Sequence, residues 1–459
     1  MSDSPVVTAL SRQLAAEPAP ARWVVAFSGG LDSMVLLHAT VHCLAQRRLH
    51  ALPTQPLHAL HVQHDLHPQA ATWASHCRAL AQQLEVPFHL RCVAVDRSGG
   101  RGVEAAAREV RYRAFSDFLL PGDQLLMAHH QDDQIETLLL RLLRGSGPAG
   151  VAGIPAQRPL GHASLARPLL ALPRTQLRAY ADAVQLTWIE DPSNLDPAFD
   201  RNYLRHTLRP AIAARWPNHA RTLLRSAALA AESAQLLQQL AAIDFSNAPQ
   251  HRLDRLHIPS LQQLDDARQR NLLRHWLGLN GLPLPDHNRL QRILDEVMPA
   301  AADRQPLVNW PGVEVRRYRD FLYAMPPLPP PASTMELEWD LSTAFLQLPD
   351  GSRLWQQWQD AGGVALRPGI PITLRFRHSG DPAQQADRHR LKRLLQQAGV
   401  PPWLRSHIPL IYQDHSLVAI PGVAIMPGWR SAAGAGGLHF RWQPAGSHVL
   451  PAFADSGGP

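Results

Sequence analysis

A glycine-rich loop near the start of the 459-residue chain has the composition of a phosphate-binding site. It reads Ser-Gly-Gly-Leu-Asp-Ser over residues 28–33, after an apolar run at 23–27 and before a helical pattern that starts at Asp32. Glycines let backbone amides turn toward an anion, and the first turn of a helix adds partial positive charge. A carboxylate is unusual beside phosphates unless it holds a metal ion, so Asp32 is predicted to bind Mg²⁺ there.

Two better-known nucleotide loops do not fit residues 28–33. A Walker loop needs a lysine that reaches the β- and γ-phosphates, whereas the only lysine, Lys392, lies far along the chain. The loop also lacks the Gly-x-Gly-x-x-Gly spacing of dinucleotide-binding folds. The remaining alternative is a simple Gly-Gly turn in which Asp32 caps the following helix.

A cluster of acids and histidines follows the fourth predicted strand. His129, His130, Asp132, Asp133 and Glu136 lie where that strand runs into a helix. Asp133 and Glu136 are three residues apart, so both lie on the same helical face. Clustered carboxylates suit a cationic amine, and a base beside them suits removal of its proton. For any single acid, simple placement at a helix N-terminus is the alternative interpretation.

Arginines in another predicted helix, residues 103–120, have a spacing suited to phosphate contact. Arg108 and Arg111 are three residues apart and share a face with Glu104. An arginine at this position would neutralise phosphate charge in place of the missing lysine. The alternative is a ladder of ion pairs along the surface of the helix.

The elements that position these side chains alternate between strand and helix. Residues 23–27, 57–64, 87–95 and 124–128 have strand patterns, and the stretches 32–46, 69–84, 103–120 and 132–143 have helix patterns. This alternation predicts an α/β domain with a parallel sheet and helices on both faces. Ligands of such sheets bind at the carboxyl ends of the strands, which is where the loop and the acids fall.

Composition changes along the chain predict further units after this one. We expect a catalytic domain at 1–214 and a helical middle domain at 215–325, with helices at 220–240 and 261–277. A proline-rich linker at 326–339 then leads to a small α+β domain at 340–443, whose one clear helix is at 389–398. The last residues, 444–459, are rich in Gly, Pro and Ser and are predicted to be disordered.

The charge and cysteine content restrict the class of protein. The net charge of +7 favours a polyanionic partner, either nucleic acid or anionic lipid, although a solvated basic surface is the alternative. Three cysteines without a Cys-x-x-Cys pair disfavour a disulfide framework and a zinc ribbon. The sequence has neither a signal peptide nor a long apolar run, so we expect a cytoplasmic protein that does not cross a membrane.

These motifs together resemble the tRNA(Ile)-lysidine synthetase family of the PP-loop ATP pyrophosphatase superfamily. The resemblance extends over nearly the whole chain. One departure is Ser379-Gly380-Asp381, where the family usually has Gly-Gly-Glu or Gly-Gly-Asp. The matching stretches are residues 28–33, the His-x-x-Asp-Asp-x-x-Glu-Thr run at 129–137, Arg-Gly-Ser-Gly at 144–147, Arg-Pro-Leu at 167–169, Glu-Asp-x-Ser-Asn at 190–194, Arg-Asn-x-x-Arg at 201–205, and the C-terminal stretches 391–405, 408–410 and 418–422.

The resemblance implies a fold like that of the adenine nucleotide alpha hydrolases and a two-step ligation. The wobble cytidine of the CAU anticodon of tRNA(Ile) attacks the α-phosphate of ATP through its O2 atom, and pyrophosphate leaves. The ε-amine of free L-lysine then displaces AMP at C2. The product, lysidine, lets the tRNA read AUA and accept isoleucine.

The resemblance also assigns roles to matching residues. ATP is expected to bind at Ser28, Gly29, Gly30, Leu31, Asp32 and Ser33, with Mg²⁺ on Asp32. Arg108 or Arg111 is expected to neutralise the triphosphate, and His129, Asp133 and Glu136 to hold lysine and help free its amine from a proton. The tRNA is expected to contact Arg201, Arg205, Arg388, Arg390, Lys392 and Arg393, and the resemblance allows a homodimer. For Lys392, a specific need for an amine and a chance survival of one lysine are equal alternatives.

Four other interpretations were weighed against this one. A tRNA thiolation enzyme with the same loop commonly uses catalytic cysteines, whereas Cys43, Cys77 and Cys92 are predicted to lie away from the loop. A tRNA-binding protein with an inactive ATP fold is disfavoured by the intact Asp32, Asp133 and Glu136. An amide synthase for a small molecule is disfavoured by the basic C-terminal domain. A metal site formed by His61, His64 and His67 is disfavoured because the stretch spans a strand end and a loop.

Overall fold

The computed structural model describes residues 4–64, 69–95, 103–191, 196, 198–301, 304–331, 336–377 and 388–445, with the side chains of residues 103–105 and 388 outside the description. His67, the Ser379–Asp381 departure, residues 192–194 of the Glu-Asp-x-Ser-Asn motif and nearly all of the predicted tail lie outside the described residues. The chain divides into two compact units, Met1–Leu236 and Leu237–Pro459.

The first unit is built on a six-stranded sheet. Its strands are β1 Trp23–Ala26, β2 Leu57–His64, β3 Phe88–Val93, β4 Gln124–Leu126, β5 Gln157–Leu160 and β6 Ala163–Ala166. They lie in the order β3-β2-β1-β4-β6-β5, and every neighbouring pair is parallel except the β5–β6 pair at one edge. The predicted α/β class is therefore confirmed, and the four predicted strands are β1 to β4.

Helices cover both faces of this sheet. α1 Pro5–Leu14, α2 Leu31–Leu49, α3 Ala70–Gln83 and α7 Arg174–Ala183 pack on one face, and α4 Val103–Phe118 packs on the other. The unit also contains α5 Gln131–Leu143, α6 Pro148–Val151, α8 Asp200–Tyr203 and α9 Arg209–Arg215, with a π-helical turn, Leu204–Leu208, between α8 and α9. The long helix α10 His219–Ser246 begins in the first unit and ends in the second. Val25 packs into a cluster with α1, α2, α3 and α7, whereas its neighbour Val24 packs into a second cluster with α4. Alternate residues of β1 thus bury two faces, which is why this strand is apolar throughout.

The strand order reverses between β1 and β4. The chain runs outward from β1 through β2 to β3 and then returns to place β4 on the other side of β1. Loops that leave the carboxyl ends of two such strands diverge and leave a crevice between them. The Ser28–Gly30 turn follows β1 and the His129–His130 pair follows β4, so the fold brings the two strongest sequence motifs to one crevice.

The second unit begins with a segment that is not purely helical. Its elements are β7 Leu256–His257, α11 Ile258–Gln262, α12 Asp266–Leu279, α13 His287–Arg292, a π-helical turn Ile293–Val297, β8 Leu307–Trp310, β9 Val313–Tyr318 and β10 Phe321–Met325. The four strands form an antiparallel sheet in the order β7-β10-β9-β8, which the helical interpretation of 215–325 missed. The predicted helix at 261–277 is two helices, because Asp265 caps α12 by accepting a hydrogen bond from the N–H of Arg268 at 3.0 Å.

The remainder of the second unit mixes strands with one helix, as predicted. Its elements are β11 Glu336–Trp339, β12 Phe345–Gln347, β13 Arg353–Gln359, β14 Ile372–Arg375, α14 Arg388–Gln397, a 3₁₀ turn Pro402–Leu404, β15 Leu410–Gln413, β16 Ser416–Ile420, β17 Ala424–Ile425 and β18 Gly437–Gln443. Two antiparallel sheets result, β11-β14-β15-β16-β17 and β12-β13-β18. The last four residues of the predicted linker thus belong to β11. No helix in the described part of the chain is long and apolar enough to cross a membrane.

Candidate active site

A cavity of about 1390 Å³ opens at the carboxyl ends of the parallel strands of the first unit. The loop after β1, the end of β2, one face of α4, the start of α5 and the α8–α9 run all contribute to its walls. Six arginines line it against four carboxylates, so the walls favour an anionic ligand. These side chains are Arg108, Arg111, Arg174, Arg178, Arg201 and Arg205, and Asp32, Asp133, Glu190 and Asp191.

The glycine-rich loop is held in shape by hydroxyl groups. The hydroxyl of Ser33 donates to the carbonyl of Gly30 at 3.0 Å and lies 3.1 Å from the hydroxyl of Ser28. The N–H of Ser28 donates to the Ser33 hydroxyl oxygen at 3.3 Å. Gly30 is the N-cap residue of α2 and no side chain caps that end. The first amides of α2 therefore remain available to an anion in the cavity.

Gly29 shows why this position needs glycine. Its φ is +82°, and a Cβ atom there would lie 2.6 Å from the Sγ of Cys77 and 2.7 Å from the Cδ1 of Ile189. The carbonyl of Gly29 also accepts a hydrogen bond from the N–H of Ile189 at 2.9 Å. The side chains of Cys77 and Ile189 thus pack against the loop at Gly29, a contact that the sequence did not predict.

The position of Cys77 corrects one of the arguments made from the sequence. Cys77 was expected to lie away from the loop, yet it packs directly against Gly29. It is fully buried, and burial raises the pKa of its thiol to about 12. A catalytic thiolate at Cys77 is therefore disfavoured by the pKa of its thiol rather than by its distance from the loop.

Asp32 faces the cavity from the first turn of α2. Its Oδ2 lies 3.5 Å from the Nε2 of His130, and its Oδ1 lies 3.5 Å from the Nε of Arg174. That Oδ1 atom is buried and has no hydrogen-bond partner among the described residues. An unsatisfied carboxylate oxygen beside a phosphate loop has the chemistry of a Mg²⁺ ligand, because Mg²⁺ is usually held by one or two carboxylates together with phosphate oxygens.

His130 lies between two carboxylates at the start of α5. Its backbone N–H donates to the Oδ2 of Asp133 at 3.0 Å, and its ring Nε2 lies 3.6 Å from the same oxygen. Burial alone would lower the pKa of His130, but hydrogen bonding to Asp32 and the charges of Asp133, Asp32 and Asp132 raise it. The sequence places His130 in the acid and histidine cluster but does not indicate its role, because the sides to which neighbouring histidines point are decided only by the tertiary structure.

Asp133 and His129 both line the cavity, as expected. Burial opposes ionisation of Asp133, but the two histidines and the backbone amide of His130 lower its pKa, so its carboxylate is ionised at neutral pH. For His129, burial lowers the pKa to about 4, against the opposing charge of Asp133. Its Nδ1 lies 3.2 Å from the Nε of Arg167, which donates to it.

Glu136 does not line the cavity, although it was expected to hold a substrate amine. It is fully buried, and both of its oxygens accept hydrogen bonds from Arg205, at 2.8 and 3.0 Å. The Nε of Arg201 lies 3.3 Å away and Nη1 of Arg209 lies 3.8 Å away. The carboxylate is therefore enclosed by guanidinium groups rather than open to a ligand.

The three arginines that surround Glu136 come from one helical run. Arg201, Arg205 and Arg209 are four residues apart, so they share a face across α8, the π-helical turn and α9. Arg209 also pairs with Asp132 at 2.7 Å, which fastens the same run to the first turn of α5. Arg201 and Arg205 were expected to contact tRNA, and the structure places both in the cavity wall.

Arg108 and Arg111 line the cavity from one face of α4, as their helical spacing predicted. The guanidinium of Arg108 lies 5.0 Å from the centre of the Tyr112 ring. Arg111 donates from Nε to the Nε2 of His64 at 3.1 Å. Arg174, which none of the sequence motifs includes, reaches the loop through Asp32.

The remaining sequence predictions concern residues away from this cavity. Arg390, Lys392 and Arg393 are exposed on α14, whose opposite face buries Leu391 and Leu395, whereas the side chain of Arg388 lies outside the described residues. His61 is buried and pairs with the carbonyl of Phe27 at 2.8 Å. No group of three or more metal-ligating His, Cys, Asp or Glu side chains occurs among the described residues.

A second glycine-rich stretch has the spacing of a dinucleotide-binding loop but not its structural context. Residues 145–150 read Gly-Ser-Gly-Pro-Ala-Gly, which is the Gly-x-Gly-x-x-Gly spacing. They follow the helix α5 rather than a strand and lead into the four-residue helix α6. A dinucleotide-binding turn requires a strand before the loop, so the spacing alone carries no binding function here.

Three family models match the chain in order. A model described as a PP-loop domain matches residues 5–212. One described as a TilS substrate binding domain matches residues 256–323, and one described as a TilS substrate C-terminal domain matches residues 372–442.

Curated relatives match over almost their whole length. The chain is 44% identical to the tRNA(Ile)-lysidine synthase of Alkalilimnicola ehrlichii, over 90% of this chain and 92% of the relative. It is 38% identical to the protein of that name from Coxiella burnetii, over 92% and 93%, and 40% identical to the one from Serratia proteamaculans, over 96% and 100%.

Proposed function

This chain belongs to the tRNA(Ile)-lysidine synthase family, and from that premise we propose how its cavity divides an ATP-dependent ligation among individual residues. The overall reaction is lysidine formation in tRNA(Ile). The observation that carries the assignment of residues is the meeting of the phosphate loop, six arginines and an ionised Asp133 in one cavity.

In the first step, cytidine O2 attacks the α-phosphate of ATP and pyrophosphate leaves. The open amides at the start of α2 bind the leaving pyrophosphate, and the hydrogen-bonded hydroxyls of Ser28 and Ser33 hold the loop in the shape that presents them. Arg108 and Arg111, which line the cavity from α4, neutralise its charge. These groups stabilise charge that grows as the bond breaks, so they lower the barrier rather than merely retain ATP.

Asp32 is the residue that would hold Mg²⁺. Its Oδ1 has no hydrogen-bond partner among the described residues, and Asp32 lies in the first turn of α2, within the glycine-rich loop at 28–33. When bound, the ion would offset charge on the phosphate oxygens. His130 and Arg174 each lie 3.5 Å from an oxygen of the Asp32 carboxylate and hold the side chain in place.

In the second step, the amine of L-lysine displaces AMP. We assign Asp133 to the ammonium group, because its carboxylate lines the cavity and its pKa is lowered by the neighbouring histidines. His129 stands beside it in the same wall. The amine attacks only when neutral, so this subsite orients lysine until its proton is lost.

Glu136 acts as a positioning residue in this scheme instead of a lysine ligand. Its bidentate pair with Arg205 and its contact with Arg201 fix two cavity-lining guanidinium groups. Bidentate pairing sets direction as well as distance. Arg201 and Arg205 then face the nucleotide that enters the cavity.

The exposed face of α14 is proposed as a tRNA contact. Arg390, Lys392 and Arg393 are exposed, and the helix buries its apolar side. Cationic side chains on one helical face suit phosphate contacts, which add affinity without base specificity. A homodimer and a cytoplasmic location remain predictions made from the sequence.

A single assay tests the proposal. The protein is incubated with ATP, radiolabelled L-lysine and unmodified tRNA(Ile) with a CAU anticodon, and transfer of label to the tRNA is measured. We expect label in the tRNA together with AMP and pyrophosphate. A preparation that releases AMP but never labels the tRNA would show that L-lysine is not the nucleophile of the second step.

A further inference from the structure

The side chain of Arg167 is buried beside the cavity without lining it. All three nitrogen atoms of its guanidinium group donate hydrogen bonds to atoms of the protein. Nε donates to the Nδ1 of His129 at 3.2 Å, Nη1 donates to the carbonyl of Pro155 at 2.7 Å, and Nη2 donates to the hydroxyl of Tyr112 at 3.3 Å. Contacts in three directions fix the guanidinium plane, so its approach to His129 is fixed as well.

The chemistry of arginine then decides where the proton of His129 lies. A guanidinium group has only donors and does not lose its proton in proteins. The Nδ1 of His129 must therefore be the acceptor, and a neutral imidazole that accepts at Nδ1 carries its hydrogen on Nε2. His129 lines the cavity, and its Nε2 has no hydrogen-bond partner among the described residues.

We propose that Arg167 is a positioning residue that holds His129 as the Nε2–H tautomer, so that His129 donates a hydrogen bond to an oxygen of the bound substrates and does not accept the proton of the amine. The oxygen belongs to a phosphoryl group or to the cytosine carbonyl, which share the same acceptor chemistry. This inference rests on the proposed function only for the identity of that oxygen.

Burial keeps this tautomer neutral. It is the largest influence on the pKa of the His129 ring; the charge of Asp133 raises that pKa and the charges of Arg167, Arg108 and Arg201 lower it, which leaves it at about 4. Near neutral pH the ring is not an imidazolium, and its one free nitrogen lone pair already accepts from Arg167. Of the two neighbours His129 and Asp133, only Asp133 can then bind the lysine ammonium group.

The tautomer can be measured without any substrate. In the full-length protein labelled with ¹⁵N-histidine, the long-range ¹H–¹⁵N spectrum separates protonated from unprotonated ring nitrogens, and the His129→Gln variant identifies the signals of His129. We expect hydrogen on Nε2 and none on Nδ1 between pH 6 and 8. Hydrogen on Nδ1 in this range would overturn the inference, whatever reaction the protein catalyses.

Two substitutions at His129 distinguish a side chain that donates a hydrogen bond from one that removes a proton from the lysine amine. Gln keeps an amide N–H near the position of Nε2 but has no basic nitrogen, whereas Ala removes both properties. In single-turnover lysidine formation we expect His129→Gln to stay within about tenfold of the wild type and His129→Ala to fall by about a hundredfold or more. Equal, large losses in both variants would show that the ring acts as a base.

Variants of Arg167 test whether the tautomer depends on this contact. Arg167→Met should give a mixture of tautomers and a lower kcat with an unchanged KM for ATP, because Arg167 does not line the cavity. Arg167→Lys, which keeps a cationic donor, should restore part of the Nε2–H tautomer and part of kcat. Arg158→Met is the matched control, since Arg158 also contacts Tyr112, at 4.9 Å from its ring centre, but donates to the carbonyl of Pro159 rather than to His129.

The set of variants remains decisive if Arg167→Met does not fold. In that case the spectra of the wild type and Arg167→Lys still report the tautomer. An Arg167→Met protein that folds and keeps the Nε2–H tautomer and the wild-type kcat would contradict the positioning role. Absence of lysidine formation in the wild type, with the expected tautomer in its spectrum, would reject the proposed function and leave the hydrogen-bond assignment intact.

Discussion

Three carboxylates in the sequence motifs of the first unit occupy three different environments. Asp32 has a buried oxygen without a hydrogen-bond partner among the described residues. Asp133 lines the cavity and is ionised beside two histidines, whereas Glu136 is enclosed by arginines. Similar side chains therefore have separate roles, and we expect their substitution to impair different properties of the protein.

Replacement of Asp32 should remove the chemistry while the fold is kept. Asp32→Ala is expected to abolish AMP release in the presence of tRNA, because the proposed Mg²⁺ ligand is lost. The measurement is AMP formation from α-labelled ATP. Asp200→Ala is the control, since Asp200 is an exposed acid whose carboxylate pairs with Arg144 at 3.1 Å and does not line the cavity. Full turnover by Asp32→Ala would rule out the metal role.

Replacement of Glu136 should cost stability as well as activity. Removing one member of a buried ion pair typically costs about 3–5 kcal/mol, since the remaining charges stay buried without a partner. We therefore expect Glu136→Ala to lower the melting temperature strongly and to reduce lysidine formation. Glu109→Ala breaks an exposed pair with Arg113 and should cost only about 0–1 kcal/mol. Similar melting temperatures for the two variants would contradict the enclosed position of Glu136.

The cysteines should differ in reactivity with alkylating agents. The Cys77 thiol has a pKa of about 12, so on the order of one molecule in ten thousand is a thiolate at pH 8. Cys92 is exposed. Native protein treated with iodoacetamide at pH 8 should be modified at Cys92 first and at Cys77 only after unfolding, as peptide mass spectrometry would show. Early modification of Cys77 would mean that the loop above it opens.

At the scale of elements, the turn between β1 and α2 is the part most sensitive to substitution. An Ala at Gly29 would combine an unfavourable φ, at a cost of about 1–2 kcal/mol, with contacts of 2.6 and 2.7 Å to Cys77 and Ile189. We expect Gly29→Ala to lower pyrophosphate release at least tenfold, because the loop amides must move. A radiometric pyrophosphate assay would measure this.

Two further variants separate the causes of that loss. Gly145 also has a positive φ, +69°, but has open space around its Cα, so Gly145→Ala should cost stability without affecting pyrophosphate release. Adding Cys77→Ala to Gly29→Ala removes one of the two close contacts and should restore part of the activity. If the double variant is no better than Gly29→Ala, crowding by Cys77 is not the cause.

Most elements of the first unit could be predicted, whereas part of the second could not. β2 was predicted with its observed bounds, and α3 and α5 to within one residue at either end, because long periodic patterns specify them. β9 and β10 were missed, although Val313 and Val315 alternate with Glu314 and Arg316. Both strands are short, and β9 carries three charged residues, so their stability comes from pairing with each other rather than from local preference.

At the scale of the whole molecule, tRNA affinity should depend on the basic face of α14. Replacing Arg390, Lys392 and Arg393 together by Ala should weaken tRNA binding and reduce the dependence of log Kd on log salt by up to about three. Binding of free ATP should not change. Filter binding at several salt concentrations would measure both tRNA affinity and its salt dependence.

A control of equal charge separates local contact from general attraction. Arg12, Arg48 and Arg113 are exposed in the first unit and belong to none of the proposed contacts. Their triple replacement by Ala changes the net charge by the same amount. We expect it to alter tRNA affinity much less than the α14 variant. An equal loss of affinity would show that tRNA responds only to overall charge.

The sequence alone determined the fold class, the family and the place of the cavity. A Gly-Gly turn between a strand and a helix, together with acids after another strand, must meet at one edge of a parallel sheet. The chemistry of phosphate binding is largely local, since it uses backbone amides at the start of a helix. For that reason residues 28–33 could be interpreted without coordinates.

Only the tertiary structure decided which side chains face the cavity and what each can do there. Glu136 shares a helical face with Asp133, but three arginines from a distant helical run enclose it. His129 was expected to help remove a proton, whereas its contact with buried Arg167 leads us to infer a donor. The physical reason is the same in both cases: the ionisation and hydrogen-bonding role of a side chain depend on partners that sequence spacing does not bring together.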